Sequence, residues 1–135
     1  MSFDPQGFIA VADHLRSSAG QDGCPSDAAL RVAIGRYYYA ALLCSRDFLE
    51  LSESGPTDRA DTTHRWVIGK FRESGEGNAQ RLHAELDRMR RTRNLADYGD
   101  DLADLPGAAK KMQEGCTRAM AWLKALRRRH EQARR

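Results

Sequence analysis

A chain of 135 residues, 41% hydrophobic and 30% charged, has the length for one core but not for two, and enough apolar content to exclude wholesale disorder. Its net charge of +3 is too small to name a polyanionic partner by itself, although the basic residues, mostly arginine, crowd into 81–93 and 124–135. No run approaches the ~20 apolar residues that cross a bilayer, and residues 1–7 have neither a basic nor an apolar leader region, so a protein neither exported nor membrane-spanning is expected.

Clusters of Gly, Pro, Ser and Asp at 17–26, 52–61, 73–78 and 98–107 divide the chain into five helical stretches. The first, 5–17, is short and amphipathic, with Phe8, Val11 and Leu15 on one face. In the second, Leu30, Ile34, Tyr37, Ala41, Cys44, Phe48 and Leu51 recur at alternating steps of four and three, the seam of a packed helix. Ser26 or Asp27 is the expected cap. The third, 61–72, carries Val67, Ile68 and Phe71 and puts His64 one turn before Ile68, facing or bordering the core.

The fourth, 78–96, reads Leu82, Leu86, Met89, Arg93, Ala96 along its seam. The fifth, 106–131, reads Ala109, Met112, Cys116, Ala119, Leu123, Leu126, with Pro106 at its first turn and an arginine-rich tail, 127–135, expected to fray. No stretch alternates with period two long enough for a strand. Short connections between long helices favour antiparallel neighbours, so one all-α, up-and-down bundle of four or five helices is expected over 1–135.

Cys24, Cys44 and Cys116 are odd in number and far apart, with no C-x-x-C pair and no histidine at metal-ligand spacing. A reducing, cytoplasmic setting follows, and neither a metal nor a cofactor is expected. Asp97, Asp100, Asp101 and Asp104 lack the spacing of a calcium loop and read as a solvated segment. The terminal arginines Arg127, Arg128, Arg129, Arg134 and Arg135 read as a solvated or helix-capping run, with RNA phosphates the alternative.

Arg93 is the most informative position, because seam positions hold aliphatic residues and a guanidinium buried without partners is costly. Asp97, one turn on, is a candidate partner. Two roles remain open: a structural ion pair at the end of the bundle, or a phosphate-binding arginine lining a cleft. His64 on its core-facing side is either a hydrogen-bonded structural residue or a proton carrier. Of Tyr37, Tyr38 and Tyr39, which cover most of the helix circumference, at least one belongs to the core and another is available for stacking.

The segment Arg31-Val32-Ala33-Ile34-Gly35-Arg36-Tyr37-Tyr38-Tyr39-Ala40-Ala41 resembles the Arg-x-Tyr-Tyr-Ala helix of HEPN proteins, Thr63-His64 leading to Val67 and Phe71 resembles their Thr-His helix, and Arg90-x-x-Arg93-Asn94-x-Ala96-Asp97-Tyr98 resembles their Arg-Asn-x-Ala-Asp-Tyr signature. The resemblance covers roughly residues 5–125. It implies a helical bundle that dimerises with the Arg-Asn helices flanking a shared cleft, and metal-independent RNA cleavage with the ribose 2′-hydroxyl as nucleophile. It also implies a toxin paired with a nucleotidyltransferase-type antitoxin, or a component of phage defence. With the resemblance, Arg93, Asn94 and Tyr98 are the expected catalytic residues and His64 the candidate to replace the missing base. Arg36, which shares a face of the second helix with Tyr39 and Ala40 and is either turned into the same cleft or solvated, is with Tyr39, Arg90 and Asp97 an expected RNA contact.

The chain departs from the cleaving pattern at Tyr98, which stands where the shortest spacing would put a histidine. An imidazole of pKa ~6.5 takes and gives protons at neutral pH, whereas a phenol of pKa ~10 is mostly a donor. A catalytically inactive module that binds RNA, nucleotide or a partner protein is therefore the alternative expectation.

Overall fold

A computed structural model describes residues 3–51, 60–99 and 102–134, apart from the side chains of 60–62. Among these are five helices and no strand: α1 Gly7–Ser18, α2 Ser26–Leu49, α3 Ala60–Glu73, α4 Gly77–Tyr98 and α5 Leu105–Ala133. The all-α bundle is what forms. Most of the segment expected to break the chain at 52–61, together with Asp100, Asp101 and Arg135, lies outside the described residues.

The seams pack as their spacing indicates. Leu30, Ile34, Tyr37, Ala41 and Cys44 of α2 are buried with Val67 and Phe71 of α3, Leu82, Leu86, Met89 and Ala96 of α4, and the six expected seam residues of α5. Each fully buried large aliphatic side chain contributes roughly 2 kcal/mol, so the shared core outweighs local propensity as the source of helix stability. No helix among the described residues is long and apolar enough to cross a membrane.

Helix directions follow from cross-contacts. Phe8 meets Arg36 while Ser17 and Leu30 border one depression, so α1 and α2 are antiparallel. Arg31 at the start of α2 bonds the end of α4, making that pair antiparallel too. Phe48 packs on His130, so α5 runs with α2. Alternation lapses only between α2 and α3. Tyr38 meets His64 and Leu49 lies beside Phe71, so these two helices run the same way.

Several local expectations are corrected. Val11 and Leu51 are exposed; Ala12 is the buried residue of α1, with Phe8 and Leu15 only packed against the core. Ser26 and Asp27 lie inside the first turn of α2 and make no cap bond, because Asp27 is instead 2.7 Å from Arg31. The C-terminal segment stays helical to Ala133, anchored where Arg129 pairs with Glu76 at 2.5 Å and His130 packs edge-on against Phe48. Asp104 caps α5, accepting from Gly107 N at 3.1 Å.

Candidate functional site

The expected site residues belong to α2, α3 and α4. On α2, residues three apart share a stripe, which sets Arg36 beside Tyr39: the Arg36 guanidinium carbon is 5.1 Å from the Tyr39 ring centroid and 4.9 Å from that of Phe8 on α1. Arg93 of α4 reaches the same tyrosine, its guanidinium carbon 5.3 Å from the centroid. One ring organises two guanidiniums, each attracted by the ring quadrupole with roughly 0.5–1 kcal/mol.

Arg93 holds its seam position with 18% of its side chain exposed. Its Nε lies 2.9 Å from Asp97 Oδ2, but the N–H is not aimed at that oxygen and makes no hydrogen bond; the contact is an ion pair without directional bonding. Nη1 donates to Asn94 Oδ1 at 3.3 Å. Arg36 has no carboxylate partner among the described residues, and its buried Nε lacks an acceptor. Among the described residues, then, Arg93 alone of the two cations has a carboxylate partner. Arg90, one turn before Arg93, is exposed on this side and adds a further positive charge.

Behind this layer lies a buried aromatic pair. The Tyr38 hydroxyl is 2.5 Å from His64 Nδ1, the two rings are stacked with planes 8° apart, and Tyr39 meets the imidazole edge-on at 5.9 Å between centroids. Burial pushes the Tyr38 phenol above its usual 10, against the opposing charge of Arg90, so it stays protonated at neutral pH. Its O–H donates to Nδ1 when the imidazole proton sits on Nε2, and its oxygen accepts from Nδ1–H in the other tautomer. His64 is only 6% exposed.

Two expectations change at this point. Tyr98 is 82% exposed and is not brought to the cluster, because five residues of helix rotate it about 140° from Arg93 whereas four bring Asp97 back onto the same side. Tyr39 carries the two arginines instead of offering a bare face for a base. Tyr37 and Tyr38 both belong to the core. Tyr37 bonds Asp13 and Arg16, and burial, then the Asp13 hydrogen bond, push its phenol up to about 12.

A structural role that the sequence reading missed falls to Arg31, whose Nη1 donates to the carbonyls of Ala96 and Gly99, both at 2.9 Å. These groups lie at the end of α4, where carbonyls lack helical partners and a cation is favoured. The tether fixes the turn carrying Asp97 beside α2. Its signal was present in the Asp27-to-Arg31 spacing of four.

Also missed was a cleft of about 530 Å³ between α4 and α5. Its charged centre is Glu85, 3% exposed, 2.8 Å from Arg118 Nε and 3.1 Å from Arg88 Nη2. Burial alone would raise the Glu85 carboxyl, but the hydrogen bonds from Arg118 and Arg88 outweigh it and hold the group below the ordinary 4.5. A Cβ at Gly115 would stand 3.0 Å from Glu85 Oε2, so glycine makes room for this carboxylate. The sequence did carry a hint: Glu85 falls three residues after Leu82 and four before Met89, on the packed side of α4. Among the described residues no three His, Cys, Asp or Glu side chains gather as metal ligands.

Compared with models of protein families, with curated proteins and with solved structures, the chain finds no match in any of the three.

Proposed function

We propose that this chain is an RNA-binding helical module of the HEPN type, which holds the ribose–phosphate backbone through Arg36 and Arg93. The observation that carries the reading is the charge imbalance at Tyr39 among the described residues: two guanidiniums are held against one ring, Arg93 alone of the two has a carboxylate partner, Asp97, and the Arg36 Nε is buried without an acceptor. Phosphate oxygens are the acceptors such a pair suits, since a guanidinium offers parallel N–H donors and keeps its charge at all relevant pH. Asn94 would orient a phosphate or ribose oxygen, and Arg90 would add long-range attraction. Because Tyr39 is occupied, recognition falls on the backbone more than on bases.

In this reading the protein works in the cytoplasm as a homodimer, with a nucleotidyltransferase-type antitoxin or a defence protein as partner, as the HEPN resemblance implies. Metal-independent RNA cleavage is the second reading. One observation favours it: a histidine, His64, lies one aromatic ring away from both arginines. Against it stand the burial of that imidazole and the outward position of Tyr98. In the cleaving case Arg93 would stabilise charge on the phosphorane and His64 would have to reach a 2′-hydroxyl to take its proton.

One experiment separates the two. Purified protein and Arg93→Ala are incubated with mixed single-stranded RNA in EDTA, and both mobility and product ends are read. Binding alone predicts a salt-sensitive shift with intact RNA, weakened by about tenfold in Arg93→Ala. Cleavage giving 2′,3′-cyclic phosphate ends that vanishes in Arg93→Ala establishes the nuclease; absence of any shift at low salt defeats both readings.

A further inference from the structure

The α4–α5 cleft plays no part in the RNA reading. Its volume of about 530 Å³ is that of a small-molecule site. Its walls are Met89, Met112, Leu102 and Ala108, with charged groups around them. Methionine is the side chain that best adapts to an irregular apolar guest.

The arrangement of charge is unusual. Arg88 grips Glu85 with two contacts, Nε to Oε2 at 3.2 Å and Nη2 to Oε1 at 3.1 Å, which is enough to neutralise it. Arg118 then adds a second guanidinium through Nε at 2.8 Å. A buried carboxylate with one bidentate arginine needs no second cation for balance, so Glu85 acts as a pin that holds two guanidinium heads at the cleft. Both arginines remain half or more exposed, and among the described residues Arg118 makes its hydrogen bond through Nε, not through the η nitrogens. Lys111, seven residues before Arg118 and so on the same stripe of α5, makes no ion pair among the described residues. Of the lining carboxylates, Asp104 is committed to capping α5, and Glu114 lies close enough to act on the Arg118 charge.

We infer that the cleft between α4 and α5 is a binding site for a small organic anion with an apolar body, which packs against Met89 and Met112 while its anionic head meets Lys111 and Arg118. Glu85 is a positioning residue for the guanidiniums, and Gly115 supplies the space the carboxylate occupies.

The probe is 8-anilinonaphthalene-1-sulfonate, compared with its uncharged counterpart N-phenyl-1-naphthylamine, on the full chain, with circular dichroism confirming that each variant is folded. The expected result is saturable binding of one sulfonate probe per chain. The ε-methyl NMR signals of Met89 and Met112 should shift and that of Met120 should not. Affinity should fall by about tenfold in Lys111→Glu, and the uncharged counterpart should bind more weakly and ignore that substitution. Filling the cleft with Ala108→Trp, or with Thr92→Trp should the first fail to fold, should abolish binding. The inference is overturned by no saturable binding, by shifts that spare Met89 and Met112, by binding that survives a filled cleft, or by equal affinity for charged and uncharged probes. RNA binding is expected to be the same in Lys111→Glu as in the unsubstituted protein, so this test and that of the RNA reading fail independently.

Discussion

Helix α4 carries arginines on two sides, and the two sides treat them differently. Toward α5, Arg88 meets a buried carboxylate, and Arg118 from across the cleft meets it too. Toward α2, Arg93 meets a tyrosine ring already shared with Arg36, and the Asp97 carboxylate beside it is engaged without an aimed hydrogen bond. Charge on the first side is anchored by a buried carboxylate; on the second it is held in place by aromatic packing. A carboxylate and an aromatic ring are two ways to hold a guanidinium in place, and they differ in how many of its N–H groups they occupy.

The sharpest way to break that comparison is to remove one group from each side. Glu85→Ala leaves two half-exposed guanidiniums beside a hole and should cost about 2 kcal/mol in chemical denaturation, from the lost charge-assisted hydrogen bonds. Arg93→Ala should cost only about 1 kcal/mol, since it removes ring contact and a helix-surface ion pair. Equal losses would mean that both sides are structural.

The pH dependence sharpens the same point. Because the folded state holds the Glu85 carboxyl below its ordinary value of 4.5, its contribution is full above that value and fades as pH falls through the lower folded pKa. Stability measured from neutral to acidic pH should therefore drop more steeply in the unsubstituted protein than in Glu85→Gln. Parallel curves would show that the carboxylate contributes nothing.

Arg31→Ala should have a smaller effect, about 1.5 kcal/mol from two hydrogen bonds made by a cation to backbone carbonyls. Its signature would be local: amide exchange near Gly99 should quicken while that near Leu86 stays slow. Smallest of all is Tyr98→Phe, which should leave stability and RNA affinity within error because the side chain is exposed and outside the cluster. A clear loss of RNA affinity would return Tyr98 to the site.

Much of the scaffold was legible because burial writes itself into helical spacing: the α2, α4 and α5 seams predicted which residues form the core, and the interruption at Arg93 fell where a guanidinium meets Tyr39 and Asp97. What was illegible depends on contacts between helices. The pairing of Arg36 with Arg93 across Tyr39 joins α2 to α4, and neither segment alone indicates it. Glu85 looked like one more charged helix residue until Arg118, far along the chain, and the gap at Gly115 came beside it. Tyr98 failed for a simpler reason: adjacency in a motif is not adjacency on a helix surface. The parallel run of α2 and α3 could not be read either, since spacing within a helix carries no record of its direction relative to the next.

The account rests on Arg36 and Arg93 being jointly available to phosphate. Its most direct test is the affinity of a fluorescent single-stranded RNA for the unsubstituted protein, Arg36→Ala, Arg93→Ala and the double variant, across a series of salt concentrations. Each single substitution should weaken binding by about tenfold and flatten the slope of log affinity against log salt by about 0.7, with the double variant flatter still. Folded variants that bind with the parent's affinity and slope would contradict the account.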